Sequence, residues 1–185
     1  MSGQTWRTPM RRALRTGSLL LAGLLLTGCS LFGGEDPGGG ALPKIETDAK
    51  GNVKGAVTAV DRLWGGYEVH VDILSLRKYD KALRLVFAVI PRAKGNNDEF
   101  PADAFGGSFN NGNAGGVGLV DTEGLRAYQP MVVGKDGCAC SSGLGKYPLD
   151  TPTLLYVDFP VPPAEPDRLT VVIPKVGPIP GVKVS

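Results

Sequence analysis

A strict two-residue alternation beside a glycine pair narrows the fold more than any other feature of the sequence. Residues 67–75 put Tyr67, Val69, Val71 and Ile73 on one face and Glu68, His70 and Asp72 on the other. A period of two marks a strand with one buried face, because a helix repeats every 3.6 residues. Gly65-Gly66, directly before it, supplies a two-residue turn that accepts positive φ, a strong hairpin signal. Residues 53–64 (Val-Lys-Gly-Ala-Val-Thr-Ala-Val-Asp-Arg-Leu-Trp) are therefore read as the partner strand.

Similar patterns recur downstream. Residues 82–90 make a third strand, ended by Pro91. Strands 117–121 and 124–129 flank the turn Asp121-Thr122-Glu123-Gly124. A short strand at 131–133 and a longer one at 153–161 follow, then the proline-rich corner 160–166, a strand at 169–173 and a last one near 181–184. Seven or eight short strands separated by turn signals, with no long helical periodicity, predict an all-β chain: an antiparallel β-sandwich with Greek-key connections. Residues 92–116 contain Asn96-Asn97, Gly106-Gly107, Asn110-Asn111-Gly112 and Gly115-Gly116. They are too polar and glycine-rich for an element interior and read as an extended surface loop.

The N-terminus has a different character. Arg7, Arg11, Arg12 and Arg15 stand without an acidic residue ahead of the uncharged, mostly aliphatic run 17–28. As a helix those residues would span about 18 Å, well short of a hydrocarbon core of about 30 Å. A cleaved export signal is predicted rather than a membrane-spanning helix. Residues 26–29, Leu-Thr-Gly-Cys, match the bacterial lipobox at all four places. Cys29 is thus expected to carry a diacylglyceryl group on its sulfur and to become the first residue of the mature chain. Two acyl chains give stable anchoring, so the expected location is the extracytoplasmic face of the cell membrane. Arg11-Arg12 leaves both general secretion and twin-arginine export open. The predicted order is a signal peptide at 1–28, lipidated Cys29 with a glycine- and proline-rich tether to 43, and one folded domain at 44–185. The tether has a reach of roughly 20 Å.

Cleavage changes the charge balance. The chain holds 20 basic and 18 acidic residues, and the four arginines before Cys29 leave with the signal, so the mature chain is 16 − 18 = −2. It has no run of clustered Lys and Arg, which argues against nucleic acid as a partner. On the sequence alone, attraction to anionic lipid headgroups is not supported either.

Cys138-Ala139-Cys140 is the second informative motif. With Cys29 lipidated these are the two remaining thiols, and in an oxidising compartment a disulfide is expected. Closing so small a ring contributes only about 1.6 kcal/mol, against about 3 for a fifteen-residue loop. The pair either fixes a local turn or is redox-active. Two thiolates do not complete a four-ligand zinc site. Cu(I) accepts two, but His70 and Met131 are the only further soft or borderline ligands in the mature chain, and His70 is read as solvated on a polar strand face. No metal, no cofactor and no catalytic residue is predicted. Ser75-Leu-Arg-Lys78 matches one element of penicillin-binding enzymes but ends a strand and lacks the companion motifs. The single histidine lies far along the chain from Ser141 and Ser142, which gives a Ser-His-Asp triad no support. Gly143-Leu-Gly-Lys-Tyr147 lacks the phosphate-loop pattern. Asn96, Asn97, Asp98, Glu99 and Asp103 offer oxygen ligands for calcium but without EF-hand spacing, and are read as a solvated loop.

Three segments carry a family resemblance: Gly118-Leu-Val-Asp-Thr-Glu-Gly-Leu-Arg-Ala-Tyr128, Gly134-Lys-Asp-Gly-Cys-Ala-Cys-Ser141, and Leu169-Thr-Val-Val-Ile-Pro-Lys-Val-Gly-Pro-Ile-Pro-Gly-Val-Lys-Val184. Over roughly residues 50–185 the chain resembles the immunoglobulin-like domain of small actinobacterial lipoproteins, some of which continue into an OmpA-like peptidoglycan-binding domain. No such second domain is expected here. The resemblance implies an immunoglobulin-like sandwich on a lipid anchor, with no functional residue to carry over beyond the lipidated cysteine. The expected function is a non-enzymatic binding or scaffolding module whose partner is the membrane, through Cys29, together with another envelope protein or cell-wall component. Loop 92–116 and the surroundings of Cys138 and Cys140 are the expected contact regions. The alternative is a thiol-redox or Cu(I)-handling envelope protein using the cysteine pair.

Overall fold

The structure, a computed structural model, describes residues 42–79, 81–93, 100–101, 103–106, 112–134 and 137–185. The described residues contain strands and turns and no helix. One antiparallel sheet has the order β1 (Thr58–Trp64), β2 (Tyr67–Tyr79), β3 (Ala82–Ala93), β8 (Thr153–Pro160). The second has the order β10 (Gly177–Lys183), β9 (Arg168–Ile173), β4 (Gly118–Asp121), β5 (Arg126–Tyr128), and a small ribbon pairs β6 (Val132–Val133) with β7 (Gly137–Cys138). The links β3–β4, β5–β8 and β8–β9 pass between the four-stranded sheets, which sets β8 beside β3 and β9 beside β4.

The alternation read from the sequence becomes the core. Val69, Val71 and Ile73 of β2, Leu83, Leu85, Phe87 and Val89 of β3, and Leu155, Val157 and Phe159 of β8 form one cluster with Leu119 of β4, Leu169, Val171 and Ile173 of β9, and Ile179 and Val182 of β10. Each large aliphatic side chain buried in this way contributes about 1.5–3 kcal/mol. Gly65 and Gly66 both have positive φ (57° and 86°), the backbone that joins Trp64 to Tyr67 in register.

Four strand boundaries differ by three or more residues from those expected. β1 begins at Thr58, because Val53 forms an isolated bridge to Thr47 and the chain between them turns over the sheet. β2 continues to Tyr79 through a bulge: Ile73 faces Phe87, but Ser75 faces Val86, leaving Leu74 as the extra residue. A bulge resets the alternation, so Leu76 returns to the core while Ser75 and Arg77 are turned to the outer face. β3 runs past Pro91 to Ala93 because its pairing with β8 stops at Val89–Thr153. Proline is tolerated where no neighbouring strand awaits its missing N–H. β10 starts at Gly177 and carries Pro178 and Pro180 along a sheet edge, with a register shift between Ile179 and Val182.

The described part of 92–116 is not a surface loop. Phe100, Phe105 and Ala114 are fully buried. Phe100 sits edge-on to Trp64 (5.5 Å), Tyr67 (5.1 Å) and Tyr147 (5.7 Å), and Phe105 edge-on to Tyr147 (5.4 Å). These rings close the end of the sandwich at the β1–β2 turn. Edge-to-face pairs add about 0.5–1.5 kcal/mol each beyond area burial, so the aromatic residues outweigh the glycine-rich composition around them. Gly112 (φ 57°) lies against Leu144, and any side chain there would run into the Leu144 carbonyl.

Candidate functional site

The outer face of the β1-β2-β3-β8 sheet holds most of the ordered polar chemistry. On β2, His70 and Asp72 project from alternate positions, and Asp61 of β1 lies opposite His70. His70 Nδ1 is 2.7 Å from Asp61 Oδ1, and its Nε2 is 3.0 Å from Asp72 Oδ1. Asp72 Oδ2 accepts the Val53 N–H at 2.7 Å, and Arg92 of β3 binds Asn52 Oδ1 at 2.6 Å. Residues 50–57 are thereby fastened over the sheet. His70 is buried at 6% exposure, which corrects the expectation of a solvated histidine: the face is polar in sequence but covered in the fold. Both ring nitrogens are turned to carboxylates, so neither faces an open position. Among the described residues no group of three His, Cys, Asp or Glu side chains is placed to hold a metal ion.

Farther along the same face Arg84 of β3 meets Asp158 of β8 in register. Two parallel contacts join them, Nε to Oδ1 and Nη2 to Oδ2, each 2.7 Å. The guanidinium lies between the Tyr79 and Tyr156 rings, 4.8 and 4.7 Å from their centroids. Its hydrogen bonds to Asp158 raise the Arg84 pKa above the ordinary value; burial opposes this, and the carboxylate's charge adds to it. A planar, delocalised cation suits this site because it can bind a carboxylate bidentately and stack on aromatic faces at once.

Asp158 also ties down the cysteine motif. Its carbonyl accepts the Met131 N–H and its N–H donates to the Ala139 carbonyl, both at 2.8 Å. Cys140 bridges to Val157, and Ser141 N–H donates to the Tyr156 carbonyl. Residues 139–141 therefore lie along β8, and the β6–β7 ribbon springs from that edge. Cys138 and Cys140 form the expected disulfide across a Cα separation of 5.3 Å. Cys140 is buried and Cys138 half-buried. The ribbon carries Val132 and Val133 at 64% and 56% exposure. A neighbouring pair of valines in water is an apolar surface presented on a braced strand pair.

The other candidate residues are not gathered into a site. The bulge puts Ser75 on the outer face, while Lys78 reaches Glu165 at 2.7 Å. Ser141 Oγ accepts the Tyr156 N–H at 2.9 Å, a structural role, and Ser142 is exposed. Tyr147 belongs to the aromatic cluster, where burial pushes its phenol well above the ordinary value. Asp103 is exposed, and Asn96, Asn97, Asp98, Glu99 and Cys29 lie outside the described residues. The Arg84–Asp158 cluster was missed in sequence because its partners lie far apart along the chain, and the His70 cluster because the residues that cover it belong to another segment. Arg84 and Asp158 are 74 residues apart. Compared with family models, curated protein sequences and solved structures, the chain matches none of them.

Proposed function

We propose that this chain is a bacterial envelope lipoprotein, held to the extracytoplasmic face of the cell membrane through Cys29, whose immunoglobulin-like sandwich is a non-enzymatic binding or scaffolding module. The Leu-Thr-Gly-Cys29 motif supports the anchor. The observation that carries the binding role is the β6–β7 ribbon, which presents Val132 and Val133 to solvent. The disulfide and the backbone of Asp158 hold it at its base. Rigid presentation lowers the ordering cost of association, and loops and ribbons on a sandwich often carry recognition. The partner is another envelope protein or a cell-wall component, and the tether at 30–43 lets the domain reach it.

The test has two arms. Metabolic labelling with palmitate should mark the chain and be lost in Cys29→Ser. A photo-crosslinker at residue 132 in intact cells should give a discrete adduct that one at exposed Lys175 does not, and Val133→Glu should remove it. Labelling that survives Cys29→Ser refutes the anchor, and identical adduct patterns at both positions refute the ribbon as the contact.

A further inference from the structure

The β2 bulge does more than correct a register. It turns Ser75 and Arg77 to the outer face, where an open cavity of about 520 Å³ lies between this part of β2 and residues 43–46 and 53–55. Lys44, Lys54, Ser75 and Arg77 line it, with Glu46 as its one carboxylate and Leu74 among its apolar groups. Lys54 is paired with Glu46 at 3.5 Å. Among the described residues no carboxylate pairs with Lys44 or Arg77, and both are exposed. Arg84, opposite Arg77 in register, is already neutralised by Asp158. Three cations against one carboxylate leave the cavity with a charge of about +2 that the acidic mature chain does not advertise.

The position of the cavity suggests its ligand. Its wall includes Pro43, Lys44 and Ile45, where the expected tether joins the domain. Thirteen residues separate Cys29 from Pro43, a reach of roughly 20 Å for a glycine-rich chain. On the lipid-anchored reading, a headgroup of the same leaflet falls within such a reach. Arg77 can present a planar pair of donors to two phosphate oxygens, while Lys44 and Lys54 add point charges and Ser75 a hydroxyl donor.

We propose that this cavity binds a phosphate group and that an anionic membrane phospholipid supplies it. The choice of source rests on the lipid-anchored reading; the phosphate site does not. Bound there, a headgroup would hold the base of the sandwich against the membrane and fix the direction in which the β6–β7 ribbon points.

The test uses the full chain in detergent, read by the backbone amide resonances of Lys44, Ser75 and Arg77. Phosphatidylglycerol, phosphatidylcholine and inorganic phosphate are titrated separately. Saturable shifts with phosphatidylglycerol, and much weaker ones with the other two, are expected. Arg77→Gln and Lys44→Gln should each weaken the binding about fivefold, as expected for one basic residue at an anionic lipid surface. Arg77→Lys should restore part of the loss, and Lys183→Gln should change nothing. Shifts that saturate equally with inorganic phosphate support the site but overturn the lipid as its source. An absence of saturable shifts with every probe, or equal binding by the Lys44→Gln/Arg77→Gln double variant, overturns the proposal. A parent chain that takes up no palmitate, or a label that survives Cys29→Ser, would overturn the anchor and leave the phosphate site standing.

Discussion

Asp158→Ala is the sharpest probe of how the outer face is held. The side chains of Arg84 and Asp158 are 7% and 9% exposed, and their contacts at 2.7 Å match the fork of the guanidinium to the carboxylate. Deleting the carboxylate leaves a cation out of water without its counter-ion, which costs about 3–5 kcal/mol. The Tyr79 and Tyr156 rings remain and contribute about 0.5–2 kcal/mol to holding the cation, so a loss near the lower bound, about 3 kcal/mol, is expected. The backbone bonds from Asp158 to Met131 and Ala139 survive the substitution, which isolates the side-chain effect. Arg84→Met should cost a similar amount by stranding the carboxylate. The double variant Arg84→Met/Asp158→Leu removes both charges and should return to within about 1 kcal/mol of the parent. Urea unfolding at pH 7, followed by far-UV circular dichroism, measures all four proteins, with the slope unchanged if only the native state is affected. Single variants that lose less than 1 kcal/mol, or a double variant as unstable as the sum of the singles, would refute the reasoning.

Three further outcomes are expected. Replacing Cys138 and Cys140 by Ser should cost about 1.6 kcal/mol at most and raise amide exchange in residues 131–141 rather than in β2 or β3; a reduction potential below about −300 mV would mark the bridge as structural and exclude a redox role. The Tyr147 hydroxyl is buried without a hydrogen-bond partner among the described residues, so Tyr147→Phe should be neutral or slightly stabilising by urea unfolding. Because burial raises its folded pKa, the stability tied to its neutral form is complete below about pH 10, the ordinary phenol value, and declines as pH rises above it; Tyr147→Phe should flatten that decline. Gly112→Ala should cost more than about 2 kcal/mol, since it combines a positive φ with a clash against the Leu144 carbonyl, and a loss below 0.5 kcal/mol would show that the segment yields.

Local pattern was legible wherever one physical requirement dominated. The Gly65-Gly66 turn and the Tyr67–Ile73 alternation follow from backbone sterics and one-sided burial, and the sequence states both directly. Pro91 misled because its effect depends on whether a strand lies on its N–H side, and that is decided by where β8 stops. His70 misled because the alternation identifies a second face without saying whether another segment covers it. Residues 50–57 do so, through Val53 and Asn52. Phe100 and Phe105 were hidden inside a glycine-rich stretch because composition averages over neighbours, whereas burial selects individual rings.

The sequence by itself determined the all-β class, the main hairpin, the inward faces of the principal strands and the pairing of Cys138 with Cys140. Each depends on residues close together in the chain, whose spacing already carries the geometry. Tertiary structure alone decided that Arg84 meets Asp158, that His70 lies between two aspartates, and that a one-residue bulge brings Arg77 and Ser75 beside Lys44 and Lys54. Such meetings depend on strand register and on which segment covers which face. A shift of one residue exchanges the two faces of a strand, and no local pattern records where that shift occurs.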